Sequence, residues 1–137
     1  MKIIGIDYGD VRVGLAVSDM TEFLASGIGT VKITGMNNAV EIVCGKIKEY
    51  GCEKIVLGLP VNMNGTFGEK AEKVKVFGEK LKEASGLEVH YVDERLTTVI
   101  AHGFMNETGT HGKKRKESVD TLSAQIILQN YLDSKRR

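Results

Sequence analysis

The sequence has little that would cross-link the chain, interrupt it or anchor it. Pro60 is the single proline, and no internal repeat or low-complexity linker is visible. The two cysteines, Cys44 and Cys52, lie on separate predicted elements, and their spacing matches no zinc motif. One disulfide would be unusual in a domain large enough to build its own core, so both read as thiols in a reducing compartment. His90, His102 and His111 share no metal-ligand spacing and read as structural or surface residues, His111 alone being placed to meet phosphate. Ser18 has no evident His/Asp partner, which argues against a serine nucleophile. The phosphate-cradling pattern G-x-x-x-x-G-K-[ST] is missing, which excludes a P-loop nucleotidase. The apolar runs are strand-length, well short of the roughly 18 residues a membrane span needs, and no signal peptide is evident. The expected location is the cytoplasm. Formal net charge is only +1, so an anionic partner must be met by a local patch.

What remains fits one domain over residues 1–137, long enough to bury a core. Its 42% hydrophobic and 27% charged residues are ordinary for a globular chain.

The most informative stretch is residues 3–19, IIGIDYGDVRVGLAVSD. Ile3, Ile4 and Ile6 deliver one acid, Asp7, to the end of an apolar run; a turn at Gly9-Asp10 follows, and a second run begins near Arg12. The first strand is too apolar to be half-exposed, so it is expected at the centre of a sheet, buried on both faces. A carboxylate at the end of such a strand is costly unless a cation pairs with it.

Further elements follow in a clear order. Residues 27–33 read as a third strand. Ala39, Val43, Ile47 and Tyr50 then recur at helical steps, with Asn37 or Asn38 to cap the start and Gly51 the end. Residues 54–59 read as a buried strand stopped by Pro60, and a polar loop leads to a helix over 68–85. A short strand at 88–92 closes in Asp93-Glu94-Arg95. A helix near 97–107, a Gly-, Thr- and Lys-rich loop at 108–117 and a last helix over 118–134 complete the chain. The order β-β-β-α-β-α-β-α-α predicts an α/β fold, a mixed five-stranded sheet with helices on both faces. The first strand should lie beside the fourth. Ligands bind such sheets at the carboxyl ends of parallel strands, so Asp7, the 60–66 loop and Asp93/Glu94 should cluster.

The last helix offers another acid. Asp120 shares the stripe of Ala124, Ile127, Leu128 and Tyr131, which faces the core. The plain alternative is an acid in a first helical turn, stabilised by the helix dipole. Three carboxylates at one sheet edge would repel one another, whereas Mg²⁺ or Mn²⁺, one ion or two, would satisfy them with oxygen ligands. Two ions suit in-line displacement at a phosphodiester. Strand alternation permits either Asp93 or Glu94 to join the site, and a salt bridge to Arg95 is the alternative for each. The basic segment Lys113, Lys114, Arg115 and Lys116 precedes the helix of Asp120. A charge run is commonly a solvated loop, but beside a metal site it suits a phosphate backbone. Asn62, Asn64 and Thr66 could bond phosphate or sugar, or simply form the turn.

Four blocks then resemble the YqgF/RuvX family: G-I-D-Y-G-x-x-R-x-G-L-A-V-S-D (5–19), V-L-G-L-P-x-N-M-x-G-T (56–66), V-D-E-R-L-T-T (92–98) and K-x-x-x-V-D-x-x-x-A-x-x-I-L-Q-x-Y-L (115–132), the last with Arg115 in the place of the lysine. They span nearly the whole chain in order. The resemblance implies an RNase H-like fold related to RuvC resolvases. It implies a nuclease, described either as maturing the 5′ end of pre-16S rRNA or as resolving Holliday junctions. The family's acids fall on Asp7, Glu94 and Asp120, which selects Glu94 over Asp93. Arg12 and Asn62 match its arginine and asparagine, and Ser123-Ala124 departs mildly from a pair of alanines.

The expected function is metal-dependent hydrolysis of structured RNA in ribosome biogenesis, by a monomer or a homodimer. The alternatives are resolution of branched DNA, a noncatalytic nucleic-acid-binding module, and ATP binding. The Asp7-Tyr8-Gly9 hairpin also occurs in sugar kinases and actin, but those proteins duplicate the fold around a cleft, and this chain holds one copy.

Overall fold

The computed structural model describes residues 1–60, 68–93 and 112–135, with only the backbone described for 112–118. The elements are β1 (Lys2–Tyr8), β2 (Arg12–Ser18), β3 (Ala25–Lys32), α1 (Met36–Tyr50), β4 (Cys52–Leu59), α2 (Glu69–Ser85), β5 (Val89–Asp93) and α3 (Gly112–Lys135). The strands form one sheet in the order β3-β2-β1-β4-β5. β2 runs antiparallel to β1 and β3, while β1, β4 and β5 are mutually parallel. The apolar β1 therefore lies at the centre beside β4, as its composition predicts, and Ile3, Ile4 and Ile6 are fully buried.

The side-chain alternation of β1 divides two cores. Ile4 and Ile6 join Val13, Leu15, Ile55 and Leu57 beneath α1 and α2, which contribute Val43, Ile47, Val74, Phe77 and Leu81. Tyr8 ends this face by stacking on Phe77, ring centroids 4.2 Å apart. Ile3 points the other way, to Ala16, Val56 and the stripe Ala124, Ile127, Leu128 and Leu132 of α3. Burying that stripe is what holds α3 to the sheet, at about 25 cal/mol per Å² of apolar surface removed from water.

α3 lies close to the strands because glycines let it. A Cβ on Gly5 would stand 2.6 Å from Leu128 Cβ, and one on Gly14 would collide with the backbone carbonyl of Asp120. Polar contacts then set its register. Gln129 accepts from the Ala25 amide at 2.9 Å and donates to the Phe23 carbonyl at 3.0 Å, and the Thr30 and Thr121 hydroxyls meet at 2.6 Å. At the far end of the sheet, Glu22 pairs with Lys135 and the N-terminal ammonium. The Lys135 ammonium holds the Glu22 carboxyl below its ordinary range.

Three expectations need correction. β3 begins at Ala25 rather than residue 27. The N-cap position of α1 is Gly35, with no side-chain cap; Asn38 Oδ1 instead accepts from the Thr34 amide at 2.9 Å. Most consequentially, α3 starts at Gly112, so Lys113, Lys114, Arg115 and Lys116 lie on helix rather than in a loop. Lysine, arginine and glutamate are good helix formers, and nothing between 113 and 118 breaks the run. The expected helix near 97–107 and the polar loop after Pro60 lie outside the described residues. Gly51 and Gly86 do end α1 and α2 in the left-handed region. Among the described residues no helix is long and apolar enough to cross a membrane.

Candidate active site

Asp7 and Gly14 are register partners on β1 and β2. Asp7 shares the parity of Ile3 and Gly5, the residues of β1 turned to α3. The turn beyond is tight: the Gly9 amide donates to the Arg12 carbonyl at 2.9 Å. Arg12 opens β2 on the same face, and Gly14, two residues on, gives the space that the Asp120 backbone occupies. Arg12 Nε donates to Asp120 Oδ2 at 2.8 Å. A shallow hollow of about 160 Å³ is lined by Asp7, Gly9, Asp10, Val11, Arg12 and Asp120. Residues 113 positions apart in sequence thus share one cavity, as the topology predicts.

Asp120 is not the first-turn acid that its place in a shorter helix would suggest. It lies well inside α3, whose first turn contains no acid, so the helix dipole does not account for it. Its position is explained by Gly14 beneath and Arg12 beside it.

A second hollow, of about 210 Å³, shares Asp7, Gly9 and Asp10 with the first as lining residues. Pro60, Lys70, Lys73 and Val74 line its other side, and Lys73 reaches Asp10 at 3.5 Å. Sequence reading missed Asp10, Lys70 and Lys73. The signal was present: α2 begins after the carboxyl end of β4, so its opening turns must overhang the edge where β1 ends.

Asp93 is placed on the opposite face. It pairs in register with Leu59, and with Tyr91 and Val89 it follows the face of Leu57 and Leu59 beneath α2. Val92 and His90 turn to α3, where Val92 packs on the Leu128 cluster and His90 on the Tyr131 ring. Asp93 and Asp120 therefore lie on different sides of the sheet. Glu94, Asn62 and Asn64 lie outside the described residues, and the side chains of Lys113 to Lys116 are likewise not described.

Asp7 and Asp120 are the candidate ligands for a divalent cation among the described residues. They present hard carboxylate oxygens to one solvent-accessible hollow, and Mg²⁺ is commonly bound through one or two carboxylates, the remaining positions going to water and substrate phosphate. Among the described residues no group of three acid, imidazole or thiol side chains forms a ligand set. Ser18 is buried, accepting from the Ile3 amide at 2.8 Å and donating to the Asp19 carbonyl, which is a structural role. Cys44 and Cys52 are both free, and burial pushes the Cys52 thiol up to about 11.

Residues 1–134 match the family model RuvX, described as Holliday junction resolvase. A protein of Caldanaerobacter subterraneus subsp. tengcongensis, named as a candidate pre-16S rRNA nuclease, is 44% identical over 137 residues, covering 99% of each chain. One of Clostridioides difficile with the same name is 46% identical over 134 residues, covering 98% of this chain and 95% of its own. Among solved structures, T. thermophilus RuvC bound to a Holliday junction superposes with a TM-score of 0.60 at 13% identity, covering 99% of this chain and 96% of that one. The fowlpox virus Holliday junction resolvase gives 0.59 at 16% identity, covering 98% and 99%. At these identities the likeness is one of fold: an α/β, RNase H-like sheet of the resolvase type.

Proposed function

The chain belongs to the RuvX family, and from that membership we propose that it is a metal-dependent endonuclease that hydrolyses phosphodiester bonds in structured RNA, acting at the 5′ end of pre-16S rRNA. The observation that carries the reading is the convergence of Asp7 and Asp120 on one hollow at the carboxyl edge of the sheet. Relatives of nearly the same length, named as candidate pre-16S rRNA nucleases, supply the substrate class. A reducing compartment suits the two free thiols, and we place the protein in the cytoplasm as a single nuclease domain.

The roles follow from position. Asp7 and Asp120 are the ligands of Mg²⁺ or Mn²⁺, with Glu94 as the third. Asp93 has the parity of Tyr91, away from α3, and the family resemblance assigns the third acid to Glu94. A divalent ion held there would supply the positive charge that acidifies a water and offsets charge developing on the phosphate. Arg12 and the basic opening of α3, Lys113 to Lys116, neutralise backbone phosphates, and Asn62 and Asn64 bond phosphate or sugar. Such contacts position the strand without reading its sequence.

Branched DNA is the second reading, favoured by the family's own description. One comparison separates the two: Mg²⁺- or Mn²⁺-dependent cleavage of a pre-16S 5′ fragment against a four-way junction, by wild type and by Asp7→Asn. The RNA is cut and the junction is not, and Asp7→Asn loses at least about a hundredfold, the scale of removing one preorganised charge-stabilising group. Preferential junction cutting would reverse the substrate assignment. Binding without cleavage under either metal would leave a noncatalytic module.

A further inference from the structure

The ion pair between Arg12 and Asp120 joins residues 108 positions apart and is made through Nε alone, at 2.8 Å. Among the described residues the guanidinium makes no second side-chain hydrogen bond, although its fork carries five donors. Both side chains are about a quarter exposed, 26% and 24%. A partly exposed pair with one hydrogen bond is weak. It sits where three carboxylates, those of Asp7, Asp10 and Asp120, line one small hollow. Among the described residues, Arg12 is the cation that lines this hollow.

We propose that Arg12 holds Asp120 only until a divalent cation takes its place, and that the displaced guanidinium then binds a phosphate of the nucleic acid. The proposal rests on the reading of Asp7 and Asp120 as cation ligands. The physical grounds are charge and reach. A guanidinium and a divalent ion on the same carboxylate repel each other, and at a few ångströms in a partly dry site that repulsion exceeds what a single exposed hydrogen bond returns. Arg12 begins β2 at the rim of the hollow, directly after the tight turn, so its long side chain can swing outward while the strand stays paired. Its planar fork matches two phosphate oxygens as well as it matches a carboxylate. Cation loading and substrate binding are then coupled through one side chain. By linkage the coupling works in both directions, so bound nucleic acid also tightens the cation.

The test uses MnCl₂ alone in titration calorimetry, and a fluorescent single-stranded RNA in anisotropy with EDTA or with Ca²⁺, for the full chain and its Arg12→Gln, Arg12→Lys and Asp7→Asn variants. Arg12→Gln binds Mn²⁺ about three- to fivefold more tightly than wild type, the factor that loss of a competing exposed ion pair releases. The same variant loses more RNA affinity relative to wild type with Ca²⁺ than in EDTA; an equal loss under both conditions overturns the exchange. Arg12→Lys, which keeps the charge but not the fork, lies between the two on both readouts, and serves alone should Arg12→Gln not fold. Unchanged or weaker Mn²⁺ binding by Arg12→Gln, with Asp7→Asn still abolishing it, overturns the exchange and leaves the acids as ligands. Mn²⁺ binding by Asp7→Asn equal to wild type removes the cation site and the exchange with it.

Discussion

Gly14 shows how one missing side chain can set the geometry of the site. It pairs across the sheet with Asp7, and the space where its Cβ would stand is filled by the Asp120 carbonyl. A substitution there pushes α3 off the strands at Asp120, a proposed ligand. Gly14→Ala is expected to destabilise by about 1–3 kcal/mol, the usual range for overpacking, and to lose cleavage beyond that stability deficit. Gly45, in the interior of α1 with open space around its Cα, is the control. Gly45→Ala should stabilise by about 0.5–1 kcal/mol with cleavage unchanged. Urea denaturation and turnover measured on both variants check the contrast. The sequence singled out Asp7, because a carboxylate ending a buried strand is costly without a partner. It could not show that Gly14 makes room for Asp120, since a close approach has no signature in composition.

At the scale of the element, α3 carries the candidate chemistry, and it is where sequence reading went furthest astray. Its apolar stripe was legible from Ala124, Ile127 and Leu128, and those residues are fully buried against the sheet. Its start was not. Glycine, threonine and lysine between 108 and 117 read as a loop, yet from Gly112 onward the backbone is helical. A run of basic helix formers satisfies helix propensity and looks like a solvated charge run at once, and composition cannot choose. The backbone positions of Lys113 to Lys116 are set by the helix rather than by a loop. Alanine replacement of Lys113, Lys114, Arg115 and Lys116 together should weaken RNA binding and flatten the dependence of log affinity on log salt by about 0.7 per lost phosphate contact. Anisotropy titrations across a KCl series measure that slope; an unchanged slope would place the segment away from the RNA.

For the molecule as a whole, the alternation of strands and helices was enough to predict the mixed sheet, the central β1 and its neighbour β4. It was also enough to predict that Asp7 and Asp120 would line one hollow. Knowing which helix covers which face places Asp93 beneath α2 and away from Asp120, which alternation alone left open. Lys70 and Lys73 belong to no motif, and their place beside Asp7 follows from where α2 begins relative to β1. The central claim is that two acids from opposite ends of the chain act as one unit. Mg²⁺-dependent cleavage of a pre-16S 5′ fragment by Asp7→Asn, Asp120→Asn and the double variant tests it directly. If both acids hold the same cation, either single substitution costs about as much as the pair, since groups that act as a unit are strongly non-additive. Losses that multiply in the double variant, as for independent sites, would contradict the shared site.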